Sequence, residues 1–162
     1  MENIREMKEN DWQEVSAIYL EGMKSNLARF EQKVPSYEQW SEEHLEKMRY
    51  VYTENDRVVG FIALMPISNR PVLSGVAEIS IYIESNSQSR GIGSKLITYM
   101  IEQSESNGIW TLQSSIMRNN EKSINLHKKM GFRTIGFREK LAQDIFGQWR
   151  DTVLMERRSP LL

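Results

Sequence analysis

Three stretches of this sequence carry residue types at spacings that could do chemistry. In the first, Glu78, Ser80 and Tyr82 alternate with Ala77, Ile79, Ile81 and Ile83, so a strand over residues 77 to 83 turns the polar three to one face. A carboxylate there can take a proton from an ammonium group, although a lone strand glutamate is by default a solvated one. In the second, Gln88-Ser89-Arg90-Gly91-Ile92-Gly93-Ser94-Lys95 lies between that strand and a helix. Backbone N–H groups converge there at the positive end of the helix dipole, and glycines 91 and 93 let a phosphate approach the backbone. Arg90 and Lys95 can add charge, yet an ordinary strand-to-helix turn also uses glycine. The other phosphate motifs fail: a Walker loop needs Gly-x-x-x-x-Gly-Lys-Ser/Thr, and a dinucleotide fingerprint needs glycine where Leu96 stands. In the third stretch Asn120, Ser123 and His127 fall at i, i+3 and i+7 on one helical stripe. Ile124, Leu126 and Met130 can then face the core, and the polar stripe is either solvated or functional.

The composition narrows what these groups can do. There is no cysteine, and the two histidines, His44 and His127, cannot make a His-rich zinc site, so no metal is expected. The 21 basic and 22 acidic residues are mixed along the chain, giving a net charge of −1 and setting no surface aside for nucleic acid. No apolar run is long enough to span a bilayer, and the start Met1-Glu2-Asn3-Ile4-Arg5-Glu6 lacks the apolar stretch of a signal peptide. A cytoplasmic location without membrane attachment is the expectation. The length of 162 residues and 40% hydrophobic content suit one domain over 1–162.

Along the chain, short strands alternate with amphipathic helices. Residues 2 to 7 form a strand, and Asp11 caps a helix running to about Met23. Ser36 and Gln39 form a capping box for a second helix carrying Trp40, Leu45 and Met48. Residues 50 to 54 and 57 to 65 flank Glu54-Asn55-Asp56 as a hairpin, and residues 76 to 84 form the next strand. A long helix starts at Gly91 and ends at Asn107-Gly108. Ile109 to Ile116 is a strand of buried type, Asn119 to Met130 a helix stopped by Gly131, and residues 132 to 139 and 149 to 157 two closing strands. The order β-α-α-β-β-β-α-β-α-β-β points to a mixed α+β arrangement. Met65, Trp149 and the aromatic strand positions read as core, and Arg157-Arg158 as a solvated pair.

Gln88, Gly91 and Gly93 match the Gln/Arg-x-x-Gly-x-Gly/Ala signature of the GNAT superfamily of N-acetyltransferases, after an apolar strand and at a helix start. The run from Asn120 through Ser123, Leu126 and His127 to Gly131-Phe132 resembles the second half of that family's cofactor site. The phosphinothricin and methionine sulfoximine acetyltransferase branch is similar over nearly the whole chain. The matching segments are Phe30-Glu31 through Trp40, Arg70, Val76 to Ile83, and Gly147-Gln148-Trp149-Arg150-Asp151.

The resemblance implies a GNAT fold, with a mixed, mainly antiparallel central sheet flanked by helices, and acetyl-CoA as co-substrate. It implies cofactor contacts from the strand backbone near Ile81 and Ile83, from Gln88, Ser89, Arg90, Gly91, Ile92, Gly93 and Ser94, and from Asn120 and Ser123. Glu78 becomes the general base that deprotonates the substrate ammonium. His127, where many members carry tyrosine, either protonates the departing thiolate or only orients the cofactor. Arg70 faces the acidic group of a small amino-acid-like substrate, with Phe30, Glu31, Ser80 and Tyr82 around it, and the protein is a homodimer. Rival expectations are acetylation of a polyamine or a protein N-terminus, and a CoA-binding sensor without turnover.

Overall fold

The computed structural model describes residues 3–25 and 33–162, so Phe30 and Glu31 lie outside the described residues. The strands are β1 (Ile4–Glu6), β2 (Arg49–Glu54), β3 (Arg57–Pro66), β4 (Val76–Ile83), β5 (Thr111–Met117), β6 (Arg133–Gln143) and β7 (Trp149–Arg158). The helices are α1 (Trp12–Lys24), α2 (Tyr37–Glu43), α3 (Ile92–Ser106) and α4 (Glu121–Lys129). The strands form one sheet in the order β1-β2-β3-β4-β5-β7-β6. Every neighbouring pair is antiparallel except β4 with β5. This is the mixed, mainly antiparallel sheet expected, and the element order agrees with the sequence reading.

Alternation along the strands divides the apolar side chains between two cores. On one face, Ile92, Leu96, Ile97 and Met100 of α3 pack over Ile62, Leu64, Ala77 and Ile79. On the other, Val15, Ile18 and Tyr19 of α1 and Trp40 of α2 pack over Val51, Phe61 and Tyr82. Fully burying one side chain of this size contributes roughly 1.5–3 kcal/mol, so both helix layers are held mainly by apolar contact. Glu78, Ser80 and Tyr82 thus face the α1/α2 side, opposite Ile79, as the alternation predicts.

Several local expectations change. Asp11 does not cap α1: its carboxylate accepts two bonds from Arg5 at 2.8 Å and one from the Lys8 N–H at 2.8 Å. The Ser36–Gln39 capping box does form, with reciprocal bonds of 3.2 and 3.1 Å. Helix α2 nevertheless ends at Glu43, because His44 is extended, so Leu45 and Met48 lie beyond the helix. Arg157 is not solvated; it lies 3.7 Å from Glu105 with its side chain 20% exposed. Trp149 is not core, being 59% exposed on the outer hairpin. β5 lies alongside β7 only from Thr152 to Arg158, so Trp149 has β6 alone beside it, and alternation along one strand cannot tell how far its neighbours reach.

Candidate active site

The β4–β5 ladder is short. It holds for Val76–Thr111, Ala77–Leu112 and Glu78–Gln113, whereas β3–β4 and β5–β7 each run over seven registers. Beyond Glu78 the two strands are no longer paired. The Glu84 N–H bonds the Val59 carbonyl, so in this antiparallel ladder the even-numbered residues of β4 turn to β3. Ile79, Ile81 and Ile83 therefore turn their N–H and C=O groups the other way, toward β5 and into the opening. This is how Ile81 and Ile83 could present backbone groups to a ligand.

Glu78 stands at the mouth of that opening. Its Oε1 accepts from Gln113 Nε2 at 3.2 Å. Both line a cavity of about 390 Å³ together with Glu43, Met65, Pro66 and Ile67. Gln113 and Glu43 carry no motif, and their nearness to Glu78 depends on pairings that a single sequence does not reveal. Met65 forms this wall, where its apolar type alone suggested core. Ser80 is 2% exposed, and its Oγ lies 3.4 Å from His44 Nε2 while His44 Nδ1 donates to the Trp40 carbonyl at 2.7 Å. Tyr82 stacks on Phe61 at 5.3 Å and tilts against Tyr19 at 5.1 Å, so its ring serves the core. Arg70 sits exposed before β4, and among the described residues its guanidinium makes no ion pair.

The turn into α3 is built by left-handed backbone at Ser89 (φ 62°) and Gly91 (φ 81°). Gly91 is the N-cap and no side chain caps the helix, which leaves the first-turn N–H groups of Ile92, Gly93 and Ser94 as donors for an anion. A Cβ on Gly91 would meet nothing within 4 Å, so the glycine is required by its φ and leaves open space beside the helix end. Gly93 has a different reason, since a Cβ there would stand 2.9 Å from Leu126 Cδ2 of α4. Gln88 Nε2 donates to the Ile83 carbonyl at 3.2 Å, tying the loop to the end of β4. Arg90 does not lean over the helix end; it pairs bidentately with Glu54 at 2.6 and 2.9 Å. That pair and Arg57–Glu84 wall a hollow of about 530 Å³ beside Ser87. These observations fit an anionic ligand at the start of α3, held chiefly by backbone.

His127 is fully buried, so the stripe on α4 is not simply solvated. Asn120 Oδ1 caps α4 by accepting the Ser123 N–H at 3.2 Å. His127 Nδ1 lies 2.7 Å from the Ser123 carbonyl oxygen. A carbonyl only accepts, so Nδ1 carries the hydrogen and the neutral ring keeps a lone pair on Nε2. That Nε2 is buried without a hydrogen-bond partner among the described residues, and the ring packs edge-on against Phe132 at 5.0 Å. Burial holds the imidazole below its ordinary pKa, against a smaller opposing effect of the Ser123 bond. Among the described residues no three metal-ligating side chains come together.

Residues 4–154 match the family model of the acetyltransferase (GNAT) domain. The L-methionine sulfoximine/L-methionine sulfone acetyltransferase of Pseudomonas paraeruginosa is 30% identical over 82 residues, 51% of this chain and 47% of that protein. The chain thus spans about half the length of that relative. The phosphinothricin N-acetyltransferase of Alcaligenes faecalis is 25% identical over 166 residues, covering 95% of this chain and 81% of that one. Among solved structures, the ribosomal-protein-alanine N-acetyltransferase from Brucella melitensis superposes with a TM-score of 0.88 at 28% identity, covering 96% of this chain and 98% of that chain. A family model that runs from β1 into β7, on a chain with an opened β4–β5 ladder and an uncapped glycine turn, identifies the protein: it belongs to the GNAT acetyltransferase domain family.

Proposed function

We propose that this protein is an acetyl-CoA-dependent N-acetyltransferase of the cytoplasm that acetylates the amino group of a small amino-acid-like substrate. The observation that carries the proposal is Glu78, held by Gln113 where the β4–β5 ladder ends and facing a cavity large enough for an amino acid. Bound acetyl-CoA would supply the activated acetyl thioester, its pyrophosphate resting on the N–H groups of Ile92, Gly93 and Ser94. Glu78 takes a proton from the substrate ammonium, directly or through water, because a protonated amine has no lone pair with which to attack. The N–H groups of Ile81 and Ile83 turn into the opening and suit the polar atoms of an extended ligand arm.

His127 suits a positioning role better than that of an acid. To protonate a thiolate from Nε2 the ring must first become imidazolium, which burial disfavours. Nε2 is fully buried, so the role this tautomer supports is indirect: the Nδ1–H bond to Ser123 and the packing on Phe132 hold α4, and with it Ser123, for orienting the cofactor.

The names of the methionine sulfoximine and phosphinothricin relatives support a small-acid substrate, with Arg70 as the clamp on its acidic group. A second reading has its own observation. The cavity is lined by two carboxylates, Glu43 and Glu78, and not by Arg70, which suits a more cationic amine such as a polyamine or a protein N-terminus. Free-thiol release from acetyl-CoA, measured against phosphinothricin, methionine sulfoximine, ordinary amino acids, polyamines and peptides, separates these classes. No thiol release with any amine, alongside tight acetyl-CoA binding, would instead make the protein a sensor.

A homodimer completes the proposal. Ile135, Phe137, Phe146 and Trp149 stand exposed on the β6–β7 hairpin at the sheet edge, a surface suited to a second copy. Sedimentation at micromolar protein should give twice 19.0 kDa; a species at 19.0 kDa rules the dimer out.

A further inference from the structure

We propose that Gln113 is a positioning residue for the base, holding the Glu78 carboxylate toward the incoming amine; this rests on reading Glu78 as that base. The two residues are 35 apart in sequence and meet only because β4 and β5 pair in parallel. Theirs is the last of three registers, so Gln113 is the final β5 side chain directly opposite a β4 partner before the ladder ends. Residues opposite one another on neighbouring strands put their side chains on the same face, which aims both at the cavity they share.

The chemistry of an amide suits this place. Nε2 donates to Glu78 Oε1 at 3.2 Å, and a neutral donor orients a carboxylate without cancelling its charge. A lysine or arginine at 113 would form an ion pair with Glu78 and compete with the substrate ammonium for the same oxygen atoms. With Nε2 committed, the amide's carbonyl oxygen remains as an acceptor at the cavity wall, matched to an N–H of an ammonium. Gln113 therefore fixes the direction of the base and adds one neutral contact that reads a charged amine.

The test is a cycle of Gln113→Met, which keeps length and removes the amide, with Glu78→Gln. Thiol release from acetyl-CoA is followed with the best amine across pH. Gln113→Met should lower kcat about tenfold, move the acidic limb of the pH–rate profile to higher pH, and leave KM for acetyl-CoA unchanged. In the Glu78→Gln background the same change should have no further effect on kcat, because the carboxylate it acts through is gone. Parental kcat and an unmoved limb in Gln113→Met would overturn the proposal, and so would a penalty of equal size in the Glu78→Gln background. Parental turnover in Glu78→Gln alone would sink the base reading itself; a dead Glu78→Gln beside a fully active Gln113→Met would sink only the positioning role. If Gln113→Met does not fold, Gln113→Asn, smaller and polar but a methylene too short to reach, goes through the same cycle with the same criteria.

Discussion

The turn into α3 and the mouth of the β4–β5 opening both leave polar groups ready for a ligand, but they are made in opposite ways. The turn is local: two left-handed residues, Ser89 and Gly91, and one uncapped helix end lie within six positions of one another. The mouth is assembled from a distance, with Glu78 from β4, Gln113 from β5 and Glu43 from the end of α2. A backbone site can thus be damaged by one φ angle, whereas a side-chain site can be damaged from residues far away in sequence. The two kinds of damage should read out differently, in cofactor affinity for the turn and in turnover for the mouth.

The largest effect should come from Glu78→Gln, which keeps the shape and removes the basic oxygen. Turnover should fall by about 10²–10⁴-fold while acetyl-CoA affinity stays near the parent value in calorimetry. Near-parental turnover at pH 7 would return Glu78 to a solvated surface role. Next is the turn itself, where Gly91→Val is a cleaner probe than Gly93→Val. A side chain at 93 would collide with Leu126, so a loss there would mix ligand binding with helix packing. At Gly91 the Cβ has open space and the cost is the left-handed φ of 81°, on the order of 1–3 kcal/mol. Acetyl-CoA affinity should drop in a folded protein; unchanged affinity would place the anion elsewhere.

Arg70→Ala comes third and tests which substrate class the mouth accepts. If the guanidinium clamps a carboxylate or phosphinate, KM for amino-acid substrates should rise about ten- to a hundred-and-fifty-fold, with KM for acetyl-CoA unmoved. Arg70→Lys should recover only part, since an ammonium has no planar fork. Equal handling of amino acids by both variants would shift the balance to the acidic lining of Glu43 and Glu78.

The smallest effects concern charge. His127 has a folded pKa below its unfolded value, so its contribution to stability is complete above about 6.5 and is lost as pH falls below that. The melting temperature should therefore decline between pH 7.5 and 5.5, and decline less in His127→Gln. Asp11 is lowered chiefly by its bond to Arg5, and its contribution is lost only at more acid pH, below the ordinary aspartate value of 3.8, so the two losses separate on a pH scan. Equal pH slopes for the parent and His127→Gln would mean that the ring is not held neutral by burial. Arg90→Ala should change acetyl-CoA affinity by less than about fivefold, because its guanidinium is engaged by Glu54 at the surface. A larger loss would show that it leaves Glu54 when the ligand binds.

Features that depend on neighbours along the chain were legible from residue order. The glycine turn, the alternation that turns Glu78 away from Ile79, the Ser36–Gln39 cap and the Asn55–Asp56 hairpin (φ 51° and 61°) all follow from residue type at short spacing. Other features arise from contacts between distant segments. The parallel register brings Gln113 to Glu78, and the helix end at His44 leaves Glu43 at the cavity. Packing of α4 buries His127 and fixes its tautomer through Ser123, and Glu54 turns Arg90 aside. The physical reason is range: backbone dihedrals and face alternation are set within a few residues, while pairing register, burial and ion-pair choice depend on which distant segment comes to lie alongside.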